Sequence, residues 1–385
     1  IDVSIILNGS EKANQQVTIE IPAANLKAIC ITDSEGKAKT TIPAKSLNLW
    51  SPENPYLYEV KLTHNSEVLA DKIGFRTIQT KGSDILLNGR PVFLRGICMH
   101  EENGVRGGRA YSREDAQMLL GWAKELGCNF VRLAHYPHNE NMTRVADEMG
   151  MLVWSEVPVY WTIQWQNPDT YANAHNQLTE MITRDKNRAS VIIWSMANET
   201  PVSADRTEFL KSMIKTTRQL DPVRLVSAAL ERHPKPGTKN TQVIEDPLQD
   251  FVDIIAFNQY IGWYDGLPEK CKTAEFEIKF DKPVMVSEFG GDALQGNHGS
   301  KDARWTEEFQ EDLYRETLKM LDKIPQLRGI TPWILADFRS PRRLLPDIQD
   351  GWNRKGLISE TGNKKKAYYV LQEYYKKKKA DYSSK

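Results

Sequence analysis

The sequence predicts a (β/α)8 TIM barrel preceded by a small immunoglobulin-like β-sandwich, an α/β architecture overall. Residues 1 to about 80 contain only short, partly alternating apolar segments separated by Gly, Asn, Asp and Pro, as sandwich strands do. From Arg90 onward, short apolar segments alternate with helical patterns, as they do in a parallel barrel. We therefore predict a sandwich domain at 1–80 and a catalytic barrel domain at 81–385.

The first domain is predicted from five strand-like segments. Several of them alternate apolar with polar residues, which is typical of strands that have one face in solvent. In chain order the segments are VSIIL, QQVTIEI, LKAICIT, KAKTTI and YLYEVKLTH.

The second domain is predicted from eight apolar segments, most of which end in polar residues. In chain order they are FLRGICMH, FVRLAHYP, MLVWSEVP, VIIWSMANE, RLVSAAL, DIIAFNQY, VMVSEF and GITPWILAD. Helical patterns between them, such as the one that Ser112 caps and the one that Gly150 closes, predict eight strand–helix units, with the last strand ending near Asp337. A doubly wound open sheet is the alternative, but it usually carries a glycine-rich phosphate turn after its first strand, and RGICMHEENG is not one.

Composition excludes several classes of function. Lys+Arg and Asp+Glu both number 51, so nothing indicates attraction to nucleic acid or to a membrane surface. The four cysteines are widely spaced and form neither a metal motif nor a disulfide framework. We expect a soluble protein of the bacterial periplasm or cytoplasm, and a homo-oligomer is compatible with the sequence.

Two glutamates at strand ends suggest the chemistry. Glu199 follows the fourth predicted strand and Glu288 ends the seventh, so both face the mouth of the barrel. Carboxyl groups about 5–5.5 Å apart suit a retaining glycosidase, in which one group donates a proton and the other attacks the anomeric carbon. Asn198, beside the first glutamate, is placed to donate a hydrogen bond to a sugar 2-hydroxyl.

Other polar residues lie at the same rim. We expect Arg132 to orient a catalytic carboxylate and His135 to contact sugar hydroxyls, with structural hydrogen bonding as the alternative for each. Trp161 and Trp165 offer stacking faces to a leaving group. The set His100, His135 and Glu156 lacks a tight ligand motif, so neither a metal nor any other cofactor is predicted.

Several motifs resemble glycoside hydrolase family 2, the β-galactosidases and β-glucuronidases. FRTIQTKGSDILLNGRPVFLRGICMHEENG is similar to the family's passage from sandwich to barrel. WSMANE resembles its acid/base motif, which implies that role for Glu199, and VMVSEFGGD resembles its nucleophile motif, which implies Glu288. FNQYIGWY resembles the segment whose tyrosine, here Tyr260, faces the nucleophile.

Three further segments resemble the β-glucuronidases of this family. EFGGDALQGNHG resembles the loop after their nucleophile, and WILADF resembles their eighth strand, with Trp333 as a wall of the sugar pocket. WNRKG carries Asn353 and Lys355 in the Asn-x-Lys spacing that holds the C6 carboxylate. We expect the substrate carboxylate to be the counter-ion of Lys355, which a galactoside would leave unpaired.

The resemblance implies a retaining exo-β-glycosidase that acts on a carbohydrate, with terminal β-D-glucuronides as the expected substrates. A β-galactosidase of the same family is the alternative. A carbohydrate-binding barrel without turnover is the alternative from another class, although the presence of both glutamates argues against it.

The sequence also departs from the family pattern. The acid/base motif reads Asn-Glu-Thr-Pro rather than Asn-Glu-Pro, and we expect Thr200 to alter the loop more than the chemistry. The family's amino-terminal sugar-binding sandwich is missing, so we expect the chain to be a fragment or a processed product.

Overall fold

The computed structural model of the protein describes residues 1–383. The chain divides into two compact units, the first formed by Ile1–Arg76 with Asn187–Ala189 and the second by Thr77–Lys186 with Ser190–Lys385. The predicted division after residue 80 stays a prediction.

The first unit contains two antiparallel sheets, as an immunoglobulin-like sandwich should. Asp2–Ile6 pairs with Lys37–Thr41 in the smaller sheet. The larger sheet has four strands, in the spatial order Leu26–Ile31, Gln16–Ile21, Tyr58–His64 and Glu67–Ile73, with a 3-10 turn at Pro22–Ala24. The last of these strands was not predicted, because it is an edge strand that is mostly exposed and therefore has little apolar alternation.

The second unit contains a closed barrel of eight parallel strands, which confirms the predicted fold class. The barrel closes where Leu94 and Arg95 of the first strand pair with Gly329 and Ile330 of the eighth. In order around the barrel the strands are Leu94–Met99, Phe130–Leu133, Leu152–Glu156, Val191–Asn198, Leu225–Leu230, Ile255–Asn258, Val284–Glu288 and Leu327–Ile330.

The barrel helices differ from the prediction at two connections. Short 3-10 helices, Pro247–Asp250 and Pro268–Lys272, follow the fifth and sixth strands, so the prediction of eight complete strand–helix units is wrong there. The α-helices are Arg113–Glu125, Glu140–Met149, Pro168–Asp185, Ala204–Leu220, Glu307–Leu321 and Lys366–Ser383. Within residues 1–383, none of the helices combines the length and the apolar character needed to cross a membrane.

Three small sheets of short strands lie outside the barrel ladder. A three-stranded sheet lies at the amino-terminal end of the second unit, another follows the fifth barrel strand, and a two-stranded sheet follows the eighth. Their strands are Ile78–Lys81, Asp84–Leu87 and Arg90–Pro91 in the first, His233–Pro234, Thr241–Val243 and Glu275–Glu277 in the second, and Phe338–Arg339 and Trp352–Asn353 in the third.

The eighth barrel strand ends at Ile330, so the prediction that it runs to near Asp337 is wrong. Beyond Ile330 the backbone bonds to the first barrel strand and to the end of the seventh, outside the regular ladder. The Trp333 N–H donates to the Phe289 carbonyl (2.8 Å), and the Leu335 N–H donates to the Cys98 carbonyl (2.9 Å). An apolar sequence therefore continues here as a buried connection rather than as a strand.

A buried ion pair fixes the long connection that follows. Lys365 and Asp337 are both fully buried, and the Lys365 ammonium donates to both carboxylate oxygens of Asp337 (2.8 and 3.0 Å). The same ammonium donates to the Ala293 and Arg354 carbonyls (2.7 and 2.9 Å). Burial raises the pKa of Asp337 to about 6 against the opposing charge of Lys365. The connection carrying residues 353–355 is thereby tied to the loop after the seventh strand.

We expect Lys365→Met to lower the free energy of unfolding by about 3–5 kcal/mol, because it leaves the buried Asp337 carboxylate with only the longer contact to Arg354 (3.4 Å). The matched control is Lys364→Met, which removes a partly exposed pair with Glu125 and should cost no more than about 1 kcal/mol. Urea unfolding of the two variants measures both values. Equal losses would show that the Lys365 pair does not hold the connection.

Candidate active site

The two predicted catalytic glutamates lie at the carboxyl ends of opposite barrel strands. Glu288 is the last residue of Val284–Glu288, and Glu199 comes directly after Val191–Asn198. Pairing of the fourth strand with the fifth is irregular between Ser195 and Asn198, and Glu199 has φ 51°. A left-handed backbone is uncommon for a non-glycine residue and is found at functional sites.

Glu288 is buried and held by two donors. Arg132 Nη1 donates to one carboxylate oxygen (2.9 Å), and the Tyr260 hydroxyl donates to the other (2.8 Å). Burial raises the pKa of Glu288, and the charge of Glu199 adds to that effect, whereas Arg132, His135 and Tyr260 oppose it. Tyr260 and Arg132 therefore both contact this carboxylate, and their predicted roles toward a nucleophile stay predictions.

Arg132 also contacts a second carboxylate. The guanidinium is fully buried, and it donates to Glu156 through Nε and Nη2, at 3.1 Å each. Burial alone would raise the pKa of Glu156, but Arg132 and His135 lower it to about 2. Glu156 is therefore an ionised structural partner of Arg132.

Two asparagines extend this network to the other glutamate. Asn198 Oδ1 accepts from Arg132 Nη2 (2.8 Å) and from Asn258 Nδ2 (3.0 Å). Asn258 Nδ2 also donates to Glu199 Oε1 (3.0 Å), and its Oδ1 accepts from Ser287 Oγ (2.7 Å). Because the Asn198 oxygen is occupied twice, its amide nitrogen is the group left to donate to a ligand.

His135 and Trp333 form a wall of the pocket. Their rings stack at 4.9 Å with an interplanar angle of 12°. His135 Nδ1 lies 2.6 Å from Glu156 Oε1, and its Nε2 lies 3.6 Å from Glu288 Oε1. Both predicted residues therefore lie beside the proposed nucleophile.

His100 lies behind this wall. Its ring is 5.2 Å from that of Trp333, and its Nδ1 is 3.0 Å from the Tyr136 hydroxyl. Burial lowers the pKa of His100 to about 3, so the ring is neutral. Among residues 1–383, no group of three or more His, Cys, Asp or Glu side chains has an arrangement that could hold a metal ion.

The two tryptophans after the third strand have different surroundings. Trp161 is half exposed, and its indole N–H donates to Glu199 Oε2 (3.1 Å). Trp165 packs edge-to-face against Phe209 at 5.3 Å. Glu199 is therefore held by two neutral donors, the Asn258 amide and the Trp161 indole.

Asn353 and Lys355 lie in a buried charged cluster. The Lys355 ammonium forms an ion pair with Asp292, donates to the Tyr264 hydroxyl (2.9 Å), and lies 4.9 Å from the centre of the Tyr264 ring. Asn353 Oδ1 accepts from the Lys355 backbone N–H (3.1 Å). The expectation that a substrate carboxylate is the counter-ion of Lys355 is wrong in one respect, because Asp292 already supplies an anion.

Tyr264 and Asp292 were missed in the sequence. Tyr264 ends the segment FNQYIGWY, and Asp292 ends VMVSEFGGD, so both lay within segments already singled out. The Tyr264 hydroxyl accepts from Lys355 and from Arg343 Nη2 (2.9 Å). With two cationic donors on its oxygen, the hydroxyl hydrogen is left to donate to a ligand.

The fold and the site define a TIM barrel with two carboxylates, joined by one hydrogen-bond network, at its mouth. The chain belongs to glycosyl hydrolase family 2. The TIM barrel domain of that family matches residues 78–379, and a second family 2 domain matches residues 1–76.

The chain matches only part of the length of its named relatives. The chain is 31% identical to a beta-glucuronidase of Streptococcus agalactiae over 366 residues, covering 86% of this chain and 58% of that protein. It is also 31% identical to a beta-glucuronidase of Rattus norvegicus over 371 residues, covering 89% of this chain and 54% of that protein. The chain thus spans less than two thirds of the length of these relatives.

Solved structures share the fold. A family 2 beta-galacturonidase from Eisenbergiella tayi bound to galacturonate superposes with a TM-score of 0.83 at 26% identity, covering 98% of this chain and 68% of that one. A beta-glucuronidase of Faecalibacterium prausnitzii superposes with a TM-score of 0.78 at 27% identity, covering 98% and 64%.

We expect Tyr260→Phe to move the acid limb of the kcat/KM profile to higher pH. The lost hydroxyl stabilises ionised Glu288, so its loss raises the pKa of that carboxyl further. At the optimum, kcat/KM should fall about ten- to a hundredfold, as for a lost bond to a charged group. Tyr374→Phe, which removes a hydroxyl bonded to Asp322, is the control and should leave the profile in place. An unmoved limb in Tyr260→Phe would contradict the assignment.

Proposed function

We propose that the protein is a retaining exo-β-glycosidase that removes terminal β-D-glucuronic acid from a carbohydrate or other glycoside. One observation carries the proposal: a continuous hydrogen-bond network joins Glu288, Arg132, Asn198, Asn258 and Glu199. The beta-glucuronidases among its relatives support the choice of substrate.

In the first step, Glu288 attacks the anomeric carbon and forms a glycosyl-enzyme ester. Glu199 gives its proton to the glycosidic oxygen, so the leaving group departs as a neutral alcohol. In the second step, Glu199 takes a proton from a water molecule, and the resulting hydroxide attacks the same carbon and releases Glu288. Two inversions give net retention.

The surroundings of the two glutamates support this division of roles. Glu288 receives a hydrogen bond from the Arg132 cation, which favours the ionised form that a nucleophile requires. Glu199 receives hydrogen bonds only from neutral groups, Asn258 and Trp161, within the described residues. A carboxyl without a fixed cationic partner is better suited to exchange a proton in each step.

Lys355, Asn353 and Tyr264 are proposed to bind the C6 carboxylate. Lys355 is neutralised in part by Asp292, while Arg343 adds a second cation at the Tyr264 hydroxyl. The Asn353 amide and the Tyr264 hydroxyl then supply neutral donors to the carboxylate. Specificity is proposed to arise from this whole set rather than from one unpaired lysine.

A β-galacturonide is the second candidate substrate. The structure from Eisenbergiella tayi, a beta-galacturonidase, superposes over 98% of this chain. Glucuronide and galacturonide share the carboxylate and differ at C4, so the same charged cluster would suit both. A β-galactosidase, which binds no carboxylate, and a barrel without turnover remain the alternatives.

We expect Glu288→Gln to lower kcat by about 10⁴-fold or more on every glycoside, because no covalent ester can form. Glu199→Gln should lose about 10²–10⁴-fold on alkyl glycosides and less on nitrophenyl glycosides, which need little protonation. Azide should rescue only Glu199→Gln, giving a β-glycosyl azide detectable by NMR. Glu208→Gln, on an exposed helix face, is the control. Full activity in either catalytic variant would refute the assignment.

We expect Lys355→Ala to reduce kcat/KM for 4-nitrophenyl β-D-glucuronide about ten- to a hundredfold more than for the galactoside. Asp292→Asn is the companion variant, because it removes the partner and keeps the cation, so the preference for glucuronide should persist. Thermal unfolding must accompany both, since breaking a buried pair costs about 3–5 kcal/mol. Equal losses on the two substrates in Lys355→Ala, or a wild-type preference for galactoside, would contradict uronate recognition.

A further inference from the structure

A cavity lies beside Glu199. It measures about 290 Å³, and its walls are Glu199, Pro201, Leu230, Glu231, Arg232, Asn258, Gln259 and Tyr260. Trp333, Asn353 and Lys355, which are proposed to enclose the sugar, are not among its walls. Because the cavity adjoins Glu199, the proposed proton donor, we place the leaving group there. Tyr260, which also contacts Glu288, is the wall that the cavity shares with the proposed sugar site.

Among residues 1–383, no carboxylate forms an ion pair with Arg232, which lines this cavity. The side chain is half-buried, and it donates through Nε to the Asn258 carbonyl (3.0 Å) and through Nη1 to Gln242 Oε1. Both acceptors are neutral, and Nη2 has no acceptor among residues 1–383. Burial lowers the pKa of Arg232, although Asp265 and Glu199 oppose this at longer range. Arg232 is thus a partly desolvated cation with one free edge.

Two buried arginines of the barrel form ion pairs with carboxylates, unlike the half-buried Arg232. Arg206 pairs bidentately with Asp246, and Arg224 pairs with Asp221. A buried cation without such a carboxylate is unfavourable unless something else supplies the anion. Arg232 differs from these two residues, because its direct partners within residues 1–383 are neutral.

The loop that carries Arg232 is held at a fixed position near Glu199. Arg206 Nε donates to the buried Thr200 hydroxyl (2.8 Å), and its carboxylate partner Asp246 accepts from the Glu231 N–H (3.3 Å). Thr200 and Glu231 are the neighbours of Glu199 and Arg232 in the chain. Thr200, where the sequence departs from the family motif, therefore helps to join the loop after the fourth strand to the loop after the fifth.

Two more arginines at the mouth have only neutral partners. Arg342 lies over the Trp161 ring at 5.8 Å, and Arg343 donates to the Tyr264 hydroxyl. Neither has a carboxylate partner among the described residues. Of the two carboxylates in the cavity wall, Glu231 is engaged through Oε2 by the Val202 N–H (2.9 Å), and Glu199 accepts from Asn258 and Trp161. Neither carboxylate forms an ion pair with Arg232 within the described residues.

We propose that Arg232 binds a carboxylate on the leaving group, so that the preferred substrates are glycosides of acidic aglycones, such as a second uronic acid. The inference rests on the proposed function for the direction of the leaving group. The planar fork of a guanidinium matches a carboxylate, and the free Nη2 supplies a donor that is directed at no other group.

The test compares 4-carboxyphenyl β-D-glucuronide with its neutral analogue 4-carbamoylphenyl β-D-glucuronide. Arg232→Gln should lower kcat/KM for the carboxylate about ten- to a hundredfold more than for the amide. Dividing the kcat/KM of the variant by that of the wild type for each substrate cancels the difference in leaving-group ability between the two substrates. Arg232→Lys should retain part of the preference, and added NaCl should weaken it in the wild type. Lys239→Gln, an exposed cation in the same loop, should leave both substrates unaffected.

A binding measurement separates this inference from the proposed function. Quenching of tryptophan fluorescence by 4-hydroxybenzoate, with 4-hydroxybenzamide as the reference, reports the anion site without turnover. If no glucuronide is cleaved but the benzoate binds more tightly than the amide in wild type and not in Arg232→Gln, the proposed function fails and the anion site stands. If Arg232→Gln depresses both substrates equally, or changes neither, and the two phenols bind alike, the inference is overturned.

Discussion

The structure of the site depends on the burial of the Arg132 guanidinium. A fully buried cation is unfavourable without anions, and the chain supplies Glu156 and Glu288. Glu156 is ionised beside this guanidinium. The same guanidinium donates to Glu288 through Nη1 and so fixes the position of that carboxylate. Asn198 then binds the remaining edge of Arg132, and Asn258 carries the connection to Glu199. One desolvated charge therefore organises side chains from five of the eight barrel strands and the loop ends that follow them.

A second constraint acts on the connection after the eighth strand. Lys355 and Lys365 are both buried, and each pairs with an aspartate, Asp292 and Asp337 respectively. A Cβ at Gly356 would lie 2.1 Å from the Asp337 backbone nitrogen, so only glycine permits the close approach there. The two pairs hold the connection against the loop after the proposed nucleophile. The cluster around Lys355 thus combines paired charges with two neutral groups, Asn353 and Tyr264.

The fold could be predicted from sequence wherever the local pattern and the tertiary environment agree. Fully buried barrel strands such as Val191–Asn198 are recognisable as apolar segments ending in polar residues, and the helix Ala204–Leu220 follows its Ser203 cap. The edge strand Glu67–Ile73 could not be predicted, because it buries too little to show a pattern. The apolar residues after Ile330 were predicted as strand, yet their backbone groups bond irregularly to the ends of the first and seventh barrel strands, and this pairing depends on segments distant in the chain.

The sequence by itself determined the barrel, the sandwich and the two glutamates that motif likeness marks, because burial periodicity and strand-end polarity are local properties. In the structure Arg132 and Tyr260 bond to Glu288, His135 lies 3.6 Å from it, and Trp333 stacks on His135, while the roles of these residues stay predictions. Only the tertiary structure decided the partners of the charged residues. Asp292 lies 63 positions from Lys355 in the chain. Arg232 stands out only because its direct partners among the described residues are neutral. Charge compensation depends on distances in space, which no spacing along one sequence specifies.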